Sequence, residues 1–328
     1  MSFHTRLATL TLSAAVVAGC GAKADGDGAA PVSTVPAGAS SSPAGVTHAG
    51  DEAPPAEQTG GFDGQKAFTH VVKQVRFGPR PSGSAAIGQL QDYIQSELAS
   101  YGCKVDVDSF SADTPVGRLP MKNIVAKVPG DKPGIIMLAT HYDTKRLENF
   151  VGADDGASST AVMLELARLL CAKHGAYQVW VTFFDGEEAM KQWSDTDSRY
   201  GSRQMAAKMA ISGDLAKTKA LLLADMVGNR PLRFLRDDNS TPALTDLLWK
   251  TAAKLGYSSV FVDESSPIED DHLPFRKRSV PVVDVIDLVE IQGTYWHTPQ
   301  DTLDKVSAKS LAITGHVFLE SVKQLQSK

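Results

Sequence analysis

The order of apolar and polar positions changes character once along the chain. After the first twenty residues, 21–61 is dominated by Ala, Gly, Pro, Ser and Thr and shows no hydrophobic period. From Phe62 the apolar positions recur at regular spacing. Residues 63–77 and 84–101 carry them at the interval of amphipathic helices, with Gly78-Pro79-Arg80-Pro81 as the break between. Strand-like runs follow at 105–110, 123–128 and 134–140, then a helix at 158–172 and a strand at 178–184. The remainder predicts a helix at 201–209, a strand at 220–226, a helix at 242–255, strands at 259–262 and 280–286, and a closing helix at 307–325. Strands alternating with helices predict an α/β fold: a mixed, mostly parallel central sheet flanked by helices on both faces, in a single domain over 62–328.

Composition narrows the function classes. Apolar residues make up 42% and charged residues 22% of the 328 residues, as in ordinary globular proteins. The formal charge of -5, with no long basic run, gives no electrostatic case for a nucleic-acid partner. No apolar run reaches the roughly 18 residues of a spanning helix, and three cysteines are too few for a disulfide scaffold. Cys103 and Cys171 are either a pair or two buried free thiols.

The N-terminus is expected to be an address. Residues 1–19 combine Arg6, an apolar stretch and small residues, the pattern of a secretory signal. Val17-Ala18-Gly19-Cys20 resembles a bacterial lipobox, which implies a lipid-modified Cys20; the alternative is a plain signal with an incidental cysteine. Residues 20–61 then read as a flexible tether. The expectation is an exported bacterial lipoprotein, periplasmic or outer-membrane anchored, touching the membrane only through Cys20, and monomeric.

The chemistry gathers where the strands end. His141-Tyr142-Asp143 follows the strand at 134–140, Asp154-Asp155-Gly156 precedes the next helix, and Asp185-Gly186-Glu187-Glu188 follows the strand at 178–184. Asp225 ends the next strand, and Trp296-His297 lies beyond the last. Ligands of such sheets bind beyond the carboxyl ends of the strands, so these groups are expected to converge. Carboxylates and imidazoles without thiolate suit zinc, with three protein ligands and an open position. In the pair Glu187-Glu188, one carboxylate can bind metal while the other faces the substrate as a base.

His141-x-Asp143, Gly152-Ala153-Asp154-Asp155-Gly156-Ala157, Glu187-Glu188, Asp225 and His297 resemble the co-catalytic zinc aminopeptidases. A narrower resemblance is to the animal-type glutaminyl-peptide cyclotransferases. It is carried by Phe183-Phe184-Asp185-Gly186-Glu187-Glu188-Ala189, Trp193-Ser194, Tyr200-Gly201-Ser202-Arg203, Glu269-Asp270-Asp271-His272-Leu273-Pro274-Phe275 and Trp296-His297-Thr298. That resemblance implies a zinc aminopeptidase-like α/β/α sandwich and one Zn2+ held by Asp155, Glu188 and His297. It implies Glu187 as general acid/base, Asp225 and Asp271 as its catalytic and hydrogen-bonding partners, and Trp193 and Trp296 as pocket walls. The substrates implied are peptides or proteins with N-terminal Gln. Under the aminopeptidase alternative, His141 and Asp225 hold a second zinc with a bridging Asp155. The chain departs from the animal pattern at Asp284, where a histidine is expected, and at Gln292, where an aromatic is.

Overall fold

The computed structural model describes residues 51–287 and 293–327. The expected signal, Cys20, the tether up to residue 50, and Gln292 lie outside the described residues.

The packed chain begins before Phe62. Residues 51–61, expected to finish the tether, instead hold a short 3-10 turn at Ala56–Thr59. Thr59 is buried and its hydroxyl donates to the carbonyls of Ala56 and Phe62, while Asp51 pairs with Arg230 at 3.1 Å. Composition alone misses this, because the segment contributes few apolar side chains and is fixed by local polar contacts of Thr59 and a distant ion pair of Asp51.

Helices α1 (Gly64–Val75) and α2 (Ala85–Ser100) start where Asp63 and Ser84 accept hydrogen bonds from the first free backbone amides. Strands β1 (Lys104–Thr114) and β2 (Gly117–Val128) form a long antiparallel hairpin that runs well past the expected 105–110 and 123–128. Its outer half is polar and half-exposed, so hydrophobic spacing marks only the inner half. Then come β3 (Ile135–His141), α3 (Ala157–Leu170), β4 (Gln178–Phe184), α4 (Tyr200–Ser212) and β5 (Thr218–Asp225). The chain continues through β6 (Phe234–Asp237), α5 (Pro242–Lys254), β7 (Phe261–Ser266), a one-turn α6 (Leu273–Arg276), β8 (Val282–Ile286) and α7 (Ala308–Gln326). The sequence pattern does not show β6 or α6, which are four residues each.

The main sheet has the order β1-β2-β4-β3-β5-β8; β6 and β7 pair separately. Strands β4, β3, β5 and β8 are parallel, and β2 joins β4 antiparallel. Side chains alternate across the pleat. Ile136, Leu138, Val181 and Leu222 face a core shared with α1, α2, α3, α5 and α7, while Met137, Trp180, Leu221 and Leu223 face α4 and α6. Both faces are therefore covered, which is the expected α/β/α sandwich. Cys103, just before β1, is disulfide-bonded to Cys171, just after α3, with their Cα atoms 5.1 Å apart.

Candidate active site

The carboxyl ends of β3, β4 and β5 point the same way and deliver His141, the turn Asp185–Glu188 and Asp225 to one rim. The β3–α3 loop adds Asp143, Asp154 and Asp155, and the segment after β8 adds Trp296 and His297. Two three-residue clusters result, and Asp155 belongs to both. In the first, His141 Nε2 lies 3.0 Å from Asp225 Oδ1 and 3.3 Å from Asp155 Oδ1. In the second, His297 Nε2 lies 3.0 Å from Glu188 Oε1 and 3.3 Å from Asp155 Oδ2.

Buried supports fix the loops that carry these groups. Asp143 accepts the backbone N–H groups of Glu187 at 3.1 Å and Glu188 at 3.3 Å, so the two glutamates splay from a held turn. Asp301 accepts the N–H groups of Asp154 at 2.8 Å and Asp155 at 3.0 Å. Asp154 turns away from the clusters: it accepts from Gly228 N–H and from the Tyr295 hydroxyl. Gly156 has φ of 89°, and a Cβ there would meet the Asp143 carbonyl at 2.8 Å, so only glycine lets the loop close here. The fully buried Arg80 donates to the carbonyls of Val151 and Gly152.

The electrostatics follow from burial and these pairings. Burial opposes ionisation of Asp155, but His141 and His297 override it and hold the carboxylate well below its usual range. Burial also disfavours charge on His297, yet Asp155 and Glu188 raise it to about 9. His141 is raised well above its usual value, because Asp225, Asp143 and Asp155 outweigh its burial. Burial pushes Asp225 up to about 7. Glu187 is raised well above the carboxylate range by burial, with Glu188, Asp270 and Asp271 adding to the effect against His141.

The second cluster opens onto a pocket of about 260 Å³ whose walls include Trp193, Trp296, Met226, Ile268 and Ile286. Glu187, Asp225 and Lys145 also face it, and Lys145 Nζ sits 3.1 Å from Glu188 Oε2. Trp296 stacks on His297 with ring centroids 3.9 Å apart. Asp271, expected in the supporting hydrogen-bond network, is fully buried behind the wall and accepts from the Ser202 hydroxyl, while its neighbour Asp270 lines the pocket. Adjacent acids on an irregular turn point apart, and nothing in the sequence says which one faces in. His272 lies between Asp237 at 3.3 Å and Asp284 at 3.4 Å, so a histidine already sits against the position where the animal pattern expects one. The sequence assigns no role to Lys145, Asp270 or Asp301; Asp270 lies inside the 269–275 motif, but the motif does not signal which way its carboxylate points.

The clusters suit a metal ion. Asp155 Oδ2 is buried without a hydrogen bond and faces an imidazole, and the donors are oxygen and nitrogen only. A mostly parallel sheet with such donors at its carboxyl edge puts a candidate metal centre where α/β enzymes hold their active sites. The model of Peptidase family M28 matches residues 123–322. The glutaminyl-peptide cyclotransferase of Drosophila melanogaster is 30% identical over 271 residues, covering 73% of this chain and 76% of that protein. The crystal structure of an Acidobacteriales bacterium glutaminyl cyclase is 41% identical with a TM-score of 0.77, over 87% of this chain and 99% of that one. A Zn-dependent exopeptidase from Parabacteroides distasonis is 26% identical with a TM-score of 0.72, over 79% of this chain and 97% of that one. The chain belongs to peptidase family M28, among its glutaminyl-peptide cyclotransferase members.

Proposed function

We infer that the chain is a glutaminyl cyclase, converting the N-terminal glutamine of peptides or proteins to pyroglutamate with release of ammonia. The observation that carries this reading is the buried Glu187 beside the Asp155–Glu188–His297 cluster, in a small pocket walled by Trp193 and Trp296. Such a pocket fits one short side chain folded back on its own amine.

In the reaction the α-amine attacks the side-chain γ-carbonyl carbon, a C–N bond forms, and the bond to the departing nitrogen breaks. Glu187 takes a proton from the attacking nitrogen and gives one to the leaving ammonia. Burial raises its pKa, which suits the step in which it gives a proton to the leaving nitrogen. Asp225, also raised and hydrogen-bonded to His141, faces the same pocket and steadies the positive amine. The tryptophans hold the folded conformer and exclude water, so much of the rate comes from orientation. One zinc on Asp155, Glu188 and His297 would supply a Lewis acid that polarises the carbonyl. The first cluster, His141–Asp155–Asp225, favours an aminopeptidase alternative with two zincs. For the rest of the chain we propose export, a lipid on Cys20 and a monomeric enzyme held at a periplasmic or outer-membrane surface.

The test is a peptide beginning with Gln, followed by mass spectrometry. Loss of one ammonia is expected, abolished by chelator and slowed about 10²- to 10⁴-fold by Glu187→Gln. Release of the whole first residue would establish the aminopeptidase instead.

A further inference from the structure

Arg199 is a buried arginine at a place where the pocket needs support. It is 2% exposed and stands at the start of α4 with φ of 52°, a left-handed backbone that non-glycine residues keep only when their surroundings hold it. Its backbone N–H donates to the Glu187 carbonyl at 2.8 Å. Its guanidinium lies 5.0 Å from the centroid of the Trp193 ring. One guanidinium nitrogen, Nη1, is 3.4 Å from Glu269 Oε2, and the other, Nη2, is 3.0 Å from Asp195 Oδ1. Glu269 Oε2 also accepts from Trp193 Nε1 at 3.3 Å. Trp193 comes from the loop after β4 and Glu269 from the loop after β7, and both line the pocket.

Two facts separate this arrangement from ordinary loop stapling. Trp193 is 36% exposed, so apolar packing does not fix its ring. The loop backbone has its own anchor: Asp197 accepts the N–H groups of Met190, Lys191 and Gln192 and the hydroxyl of Tyr200. The guanidinium is left to the side chains at the pocket mouth. We propose that Arg199 is a positioning residue that holds Trp193 and Glu269 together as the pocket wall against the substrate's first side chain. The proposal rests on the cyclase reading of the pocket. A planar fork is needed for stacking and pairing at once, which lysine does not provide.

The test compares Arg199→Met, Arg199→Lys and Glu269→Gln in the full chain. Acrylamide quenching of Trp193, isolated by subtracting Trp193→Phe, reports the ring directly. Arg199→Met is expected to make the ring more accessible and raise KM for a Gln peptide about ten-fold, with kcat held within about three-fold. Arg199→Lys should fall close to Arg199→Met. In a Trp193→Ala background, Arg199→Met should add less than about two-fold, because the interaction it removes is already gone. Unchanged quenching and KM, or an undiminished effect in that background, overturns the proposal. If Arg199→Met does not fold, Glu269→Gln decides. It should loosen Trp193 and raise KM about two-fold, and no change in either overturns the proposal. If the wild type yields no cyclisation, the cyclase reading falls, while the quenching comparison still judges Arg199.

Discussion

Asp155 serves two clusters of similar composition, and they are filled differently. On the His141 side the imidazole is 1% exposed, ringed by Asp143, Asp155 and Asp225, and already hydrogen-bonded to Asp225. Those carboxylates raise its pKa well above the usual value against its burial. On the His297 side the imidazole is 19% exposed and faces the pocket, and Lys145 approaches Glu188 from outside. That cluster has a free direction from which a substrate can approach, as catalytic metal sites do. The same kinds of ligand are thus enclosed on one side and open to an approaching substrate on the other.

The largest effect should come from the residue the clusters share. Asp155→Ala is expected to remove bound zinc and lower cyclisation by about 10³-fold or more, read by metal analysis and peptide assay. Substantial activity in this variant would mean that neither cluster is the working centre. The two histidines should then part company. His297→Gln is expected to lose the metal. His141→Gln should keep it and slow turnover about 10- to 100-fold by releasing Asp225, as mutation of an orienting partner does. Equal metal loss in both variants would erase the distinction between the clusters.

A smaller effect concerns pH. Without metal, His297 is raised from 6.5 to about 9, so its ion pairs stabilise the fold fully below about pH 6.5 and are lost as pH rises through about 9. Metal needs the neutral imidazole, so zinc affinity should move the opposite way, rising about ten-fold per pH unit up to about 9. A competition titration at two pH values checks this, and a flat response would place the metal elsewhere. The smallest effect on turnover should come from the far side of the fold. Cys103→Ser removes a link that closes a loop of 68 residues and should cost about 4 kcal/mol of stability, seen in thermal melting. The cyclisation rate below the melting transition should stay within about two-fold, because the link ties β1 to α3 away from the rim.

Much of this was readable in advance where one local signal sufficed. Strands β3, β4 and β5 are almost wholly apolar runs, and a fully buried strand cannot look otherwise. The rim residues follow from them, since β3 and β5 end in His141 and Asp225 and β4 runs straight into the turn that carries Glu187 and Glu188. What stayed hidden depends on distant partners. Residues 51–61 look like linker, yet the pair of Asp51 with Arg230 ties their start to the domain. Asp270 and Asp271 are neighbours of the same type, and only the packing of Ser202 against one of them turns the other to the pocket. Arg199 lies before the helix expected at 201–209 and carries no sequence signal, because its role exists only where two loops meet over it.

The most direct test is to strip the protein of metal and add zinc back in measured steps while following cyclisation of a Gln peptide. Activity reaching its plateau at one zinc per chain is the predicted result, with the open cluster filled and the enclosed one free of metal. A plateau only at two per chain would contradict the account and make His141, Asp155 and Asp225 a second metal site.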